Sequence, residues 1–133
     1  MIEFTRVGVS HLYPYAEMAR KERVVLSDST MYYGGYVDGV LVGFYGLRIR
    51  GGVAYIKNDY TFGAFRRTGY LAESIKFRMR VVKNLEIKRV RANCTKLALG
   101  THLKLGAHII AQYKRGDALV EYTENTIKAL SNA

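Results

Sequence analysis

The 133-residue sequence predicts an α/β fold of the α+β kind, a mixed but mostly antiparallel sheet with helices on both faces. Three observations predict it. Strand-like and helix-like segments interleave along the chain, which layers helices against a sheet. Asp38-Gly39 and Gly51-Gly52 each join apolar runs by a two-residue turn, the mark of consecutive antiparallel hairpins. Finally, the run ending at Phe62 passes through a glycine- and arginine-rich loop into an amphipathic helix and a further short strand. That crossover makes a parallel pair.

The elements follow in order. Ile2–Val7 alternates apolar and polar residues, the period of a half-buried strand. Ser10 is placed to cap a helix through about Val24, with Pro14 in its first turn and Arg20, Lys21 and Arg23 at its negative end. Met31–Val37, Val40–Arg48 and Val53–Phe62 form a three-stranded meander, in which Gly34, Gly35, Gly43 and Gly46 mark bulges or close approaches. Tyr70–Asn84 is the clearest helix: Leu71, Ala72, Ile75, Met79 and Val82 share one side, and Glu73, Lys76, Arg80 and Lys83 the other. Arg78 falls on the apolar side, where a long stem snorkels its charge to the rim. Lys88–Asn93 is a short strand, Thr95 caps a helix to about Leu105, and Gly106 stops it. Ala107–Tyr113 and Ala118–Tyr122 form a last hairpin, and a short helix or a frayed tail begins at Glu124.

Composition bounds the function. Nearly half the residues are hydrophobic and 24% are charged, a globular balance that fits a single domain over residues 1–133. Apolar runs are too short to span a membrane, and no basic-then-apolar leader opens the chain. The lone Cys94 builds neither an internal disulfide nor a metal site, which fits a reducing cytoplasm, although its place before a helix start can lower a thiol pKa. His11, His102 and His108 lack metal-ligand spacing, so no metal is expected. A net charge of +10 favours anionic partners. Its basic residues crowd between Arg66 and Arg91, mostly as a solvated helix face.

The chain is organised around Thr61-Phe62-Gly63-Ala64-Phe65-Arg66-Arg67-Thr68-Gly69-Tyr70-Leu71. A helix start offers unpaired N–H groups and a positive dipole end, glycine allows close approach, and arginine adds charge with fork geometry. Together these describe an anion cradle. Phe65 followed by Arg66-Arg67-Thr68-Gly69-Tyr70-Leu71, with Thr95-Lys96-Leu97-Ala98 and His102-Leu103-Lys104-Leu105-Gly106-Ala107 downstream, resembles the two signatures of the GNAT superfamily of acyl-CoA-dependent N-acyltransferases. Three positions depart from the family pattern: Leu71 replaces a small residue, Thr95 an asparagine, and His102 the tyrosine of many members. Gly106-Ala107 is similar to short phage-encoded members, some of them virion components.

The resemblance implies an N-acetyltransferase that moves an acetyl group from acetyl-CoA to an amine of a small molecule or protein. It implies that backbone N–H groups of Arg67, Thr68, Gly69, Tyr70 and Leu71 hold the CoA pyrophosphate, with Arg66 and Arg67 adding charge. The strand end at Tyr60, Thr61 and Phe62 would pair with the pantetheine arm, and Thr95 and Ala98 would count among the cofactor-binding residues. His102 matches the acid position. Asp59 is the candidate base, its alternative an exposed or ion-paired strand residue. Tyr32, Tyr33, Tyr36 and Tyr45 are half-buried sheet residues or the lining of an acceptor groove. The competing readings are a non-catalytic binding or virion-assembly protein on the same fold and, ranked last, nucleic-acid binding. Pairing through a sheet edge or the last hairpin would give a homodimer.

Overall fold

The computed structural model describes the whole chain, Met1–Ala133. Ile2–Val7 forms strand β1, and Met31–Val37, Val40–Arg50 and Val53–Thr61 form β2, β3 and β4. Val90–Cys94, His108–Gln112 and Ala118–Tyr122 form β5, β6 and β7. Helices α1 to α4 span Ala16–Arg20, Tyr70–Asn84, Lys96–Lys104 and Glu124–Ser131. The strands make one seven-stranded sheet in the order β1-β2-β3-β4-β5-β7-β6, antiparallel throughout except for β4 and β5.

One element differs in kind from its sequence reading. Where a helix from Ser10 to Val24 was expected, Val9–Tyr15 winds as a 3-10 turn and α1 contributes only five residues. Gly8 holds the cap position instead of Ser10, and Pro14 lies inside the turn. Pro14 cannot donate a backbone bond, so the tighter winding tolerates it where a continuous α-helix would not. At the far end Arg23 adopts φ 65° and Val24 N–H closes on the Ala19 carbonyl, which stops the helix.

The core has two parts. Ile75, Met79 and Val82 of α2, with Ile127 and Leu130 of α4, pack on Leu47, Ile56, Val90, Ala92, Val120 and Tyr122. On the opposite face, Leu12 and Ala19 cover Tyr32, Phe44 and Tyr60. Because α1 is short, that second layer stops partway across the sheet. Tyr55, Arg91, Asn93, Leu119 and Glu121, on the same face further along, are half-buried or exposed.

Two irregularities open the sheet at its centre. The β3–β4 register shifts between Phe44 and Gly46, where Asn58 takes a left-handed φ of 60°. The strands run so close there that a Cβ on Gly46 would lie 2.1 Å from the Lys57 carbonyl oxygen, and one on Gly43 would lie 2.6 Å from that of Tyr60. These glycines are therefore required by the neighbouring strand. The parallel pairing of β4 with β5 covers only Ala54–Ile56 against Val90–Ala92. From Lys57 onward β4 leaves its neighbour and the two strands diverge. The edge strand β6 carries a further register shift between Ile109 and Ala111.

Candidate active site

The divergence of β4 and β5 creates a cleft of about 630 Å³. Asp59, Tyr60, Thr61, Arg66, Arg67, Thr68, Gly69, Tyr70, Leu71, Thr95, Ala98 and His102 all line it. The sequence reading therefore assembled residues from five segments around one cavity. Phe62 is the exception, since its ring packs 5.0 Å from that of Tyr15 and 5.9 Å from that of Tyr60.

The loop before α2 leaves its backbone donors unpaired. Gly69 is the N-cap at φ 84°, a conformation in which a side chain is strained even though a Cβ would meet no neighbour. No side chain caps the helix. The first helical bond runs from Glu73 N–H to the Gly69 carbonyl, and no protein acceptor takes the N–H of any residue from Arg67 through Ala72. A row of unsatisfied donors at the positive end of a fifteen-residue helix lines the cleft.

The two arginines have different duties. Arg66 donates from Nε to the Thr61 carbonyl at 2.9 Å and pairs with Glu22 at 2.7 Å, its guanidinium 5.4 Å from the Tyr60 ring. The Arg66 hydrogen bond holds the Glu22 carboxyl below its ordinary pKa. Arg66 therefore fastens the loop to the segment after α1. Arg67, at φ 62°, has no carboxylate within ion-pair distance and lines the cleft.

Asp59 does not stand as a free base. Arg78 donates to Oδ1 at 2.6 Å and to Oδ2 at 3.0 Å, and Gly46 N–H donates to Oδ1 at 3.0 Å. Of the two roles open to Asp59 from sequence, the geometry gives the ion pair. Arg78 in turn does not snorkel. It is 1% exposed, with its remaining donors on the Gly46 carbonyl, the Ser74 carbonyl and Ser74 Oγ. An arginine on an apolar helix face is buried here because the bulged strand presents it with a carboxylate and a carbonyl.

His102 is 2% exposed, and its Nδ1 lies 2.6 Å from the Tyr122 hydroxyl. Burial pushes its pKa down to about 4, so the ring is neutral near pH 7. Burial raises the Tyr122 hydroxyl pKa above its ordinary value. The neutral pair shares one proton-bearing contact, and His102 Nε2 has no protein partner at the cleft. Cys94, also on the cleft, is buried and donates to the Ala118 carbonyl at 3.4 Å. Burial raises its pKa, contrary to the lowering expected beside a helix start. The tyrosines of the meander are structural: Tyr32, Tyr33 and Tyr45 are buried, and Tyr45 bonds Thr61 at 2.8 Å with its pKa raised by burial to about 12. Tyr36 lies outside the cleft.

Three participants escaped the sequence reading. Glu22 reaches both Arg66 and the Tyr60 hydroxyl across the fold, and nothing local announces such a pairing. Tyr122 sits in a strand indistinguishable by pattern from its neighbours. Asn58 did carry a signal, because an Asn-Asp pair inside an alternating run suits a left-handed bulge residue.

This arrangement of a bulged β4, a parallel β5 splayed from it and a helix opening at the cleft is the GNAT acyl-CoA N-acyltransferase fold. Among solved structures, PaiA N-acetyltransferase from Thermoplasma acidophilum, in complex with coenzyme A, superposes at a TM-score of 0.75 with 14% identity, covering 92% of this chain and 99% of that one. A GNAT family acetyltransferase from Elizabethkingia anophelis with acetyl-CoA bound gives 0.69 at 16% identity, over 92% and 97% of the two chains. The ribosomal-protein-S18-alanine N-acetyltransferase of Escherichia coli gives 0.72 at 9% identity, over 91% of each. No family model and no curated protein matches at the level of sequence. No helix is long and apolar enough to cross a membrane.

Proposed function

We propose that this protein is an N-acetyltransferase that takes the acetyl group of acetyl-CoA and passes it to an amine. One observation carries the reading: the free N–H row from Arg67 to Ala72 and the unpaired edge of β4 beyond Ile56 face the same cleft. The first suits a pyrophosphate, with Arg67 adding charge. The second offers strand-edge donors and acceptors to an extended amide-containing arm. The solved neighbours with CoA or acetyl-CoA support this pairing of fold and ligand.

The bound thioester would supply an activated acyl group. The chain's own residues hold and orient it: Gly69 sets the loop, Arg66 fixes that loop to Glu22, and the Arg78–Asp59 pair stiffens the bulge that aims β4 into the cleft. Leu71 lines the cleft while also packing on the core. In this reading His102 Nε2, with Nδ1 held by the Tyr122 hydroxyl, passes a proton to the departing thiolate.

A second reading has its own support. Asp59 is engaged by Arg78 and by the Gly46 N–H, so no unpaired carboxylate at the candidate position serves as base. A CoA-binding protein without turnover would look the same. Calorimetry with CoA and acetyl-CoA, followed by thiol release in the presence of amines, separates the two. CoA binding without thiol release selects the non-catalytic reading, and no binding of either ligand overturns both.

A further inference from the structure

The uncovered part of the sheet, beside the cleft and on the face that α1 leaves bare, is strongly cationic. The register places Arg48, Tyr55, Arg91 and Glu121 in one row across β3, β4, β5 and β7. Arg50 lies two residues beyond Arg48 on β3, and Arg89 flanks β5. Glu121 is the sole carboxylate of the row, and it already accepts from Arg91 at 2.8 Å and from Arg89 at 3.0 Å. Arg48 and Arg50 have no carboxylate within ion-pair distance. This face runs into the cleft without a break, because Lys57, two residues after Tyr55 and on the same side of β4, lines the cavity together with Asn93 of β5. Arg23 and Arg67 add cations on the cavity wall.

We infer that this open face docks an acidic polypeptide segment and delivers the segment's α-amine into the cleft, an assignment of acceptor class that rests on the acyl-transfer reading. Charge decides the occupant. A second copy of the chain would set arginines against arginines, and a polyamine or lysine-rich acceptor would be repelled. The geometry of the occupant is already illustrated on this face, where the Arg89 and Arg91 guanidinium groups hold the Glu121 carboxylate between them. Nucleic acid is the weaker match. Tyr55 is the only aromatic of the row, whereas single strands bind through successive stacking rings, and nucleobase amines are poor nucleophiles because their lone pairs are delocalised.

The α-amine follows from what the cleft lacks. With Asp59 engaged by Arg78 and Gly46, deprotonation falls to the amine itself and its surroundings. An α-amino group, of ordinary pKa about 8, holds far more neutral amine at pH 7 than a lysine of about 10.4. Lys57, Arg23 and Arg67 disfavour the ammonium form further. In the transfer the amine's new N–C bond replaces the thioester's C–S bond, and the proton lost by nitrogen leaves with the thiol. From Lys57 back to Val53 the strand spans roughly 13 Å, so acidic side chains at roughly the third to sixth positions of an extended peptide would meet the arginines.

The test uses the full chain with a short synthetic peptide of free N-terminus, glutamates at those positions and one lysine near its end. A matched peptide carries lysines in place of the glutamates. Binding is measured without CoA, and turnover is then followed with acetyl-CoA. The acidic peptide should bind at least about tenfold tighter than its basic counterpart, and the R48E/R50E double variant should abolish that difference while CoA binding stays unchanged. Mass spectrometry should locate the acetyl group on the α-amine. Equal binding of the two peptides overturns the proposal. So does acetylation confined to lysine, or an oligonucleotide that binds tighter than the acidic peptide and is weakened by the same double variant. If CoA itself fails to bind, the delivery of an amine for acetylation is overturned, a result that the separate peptide-binding measurement keeps distinct from failure of the docking face.

Discussion

Arg78 and Asp59 form a two-pronged ion pair inside the molecule, Nη1 to Oδ1 at 2.6 Å and Nη2 to Oδ2 at 3.0 Å, between the middle of α2 and the bulge of β4. Arg78 is 1% exposed, so removal of its partner leaves a charge with no water to take over. Asp59→Ala should therefore destabilise the fold by about 3–5 kcal/mol in chemical denaturation. An Asp59→Ala protein of unchanged stability and abolished turnover would return Asp59 to the role of base.

The His102 ring makes stability pH-dependent in a definite direction. Its pKa of about 4 in the fold lies below the ordinary 6.5, so the unfolded chain binds the extra proton first as pH falls. This contribution is fully present above about pH 6.5, is lost as pH drops toward 4, and amounts to about 3 kcal/mol. Denaturation curves across that window should show the loss in the native chain and lack it in His102→Gln. In turnover, His102→Ala should lower kcat more than it weakens acetyl-CoA binding, and an unchanged kcat would remove His102 from the chemistry.

Arg66 and Arg67 should separate cleanly. Arg67→Ala should weaken CoA binding by on the order of tenfold while the melting temperature holds, because its charge makes no ion pair within the fold. Arg66→Ala should lower the melting temperature by freeing the loop from Glu22 and Thr61, with weaker CoA binding as a consequence. Calorimetry and thermal melts on the two variants check both statements.

Gly46→Ala tests the close approach of β3 and β4. The new Cβ would fall 2.1 Å from the Lys57 carbonyl oxygen, so backbone must move. A loss of about 3 kcal/mol or more is expected, with CoA affinity falling alongside as the bulge shifts. A native-like melt for this variant would show that the bulge relaxes freely.

Much of this was readable from the chain because it is written locally. Tyr70–Asn84 was placed to the residue by its apolar spacing, and the Thr95 cap by its position before a helix, where its hydroxyl does accept the Ala98 N–H. The glycine-capped helix start with its unpaired N–H groups was legible for the same reason: Gly69 and the start of α2 are neighbours in sequence. What failed was what depends on distant partners. Arg78 looked like a rim residue because its carboxylate lies nineteen positions away across a bulge, and the pairing of Arg66 with Glu22 went unread because Glu22 lies forty-four positions away. The helix before β2 failed for another cause, since periodicity does not separate 3-10 from α winding around a proline.

The three-residue pairing of Ala54–Ile56 with Val90–Ala92 is the only backbone ladder joining the first four strands to the last three. The sheet is thus two ribbons with a seam. What spans the seam is side-chain packing, Leu47 and Ile56 from one ribbon and Val90, Ala92 and Val120 from the other, clamped beneath α2 and α4. Breathing of the two ribbons would widen or narrow the cleft without breaking a hairpin. Amide exchange at Ala54 and Ile56 is the natural gauge of that motion, and substitutions under α2 would tune it from a distance.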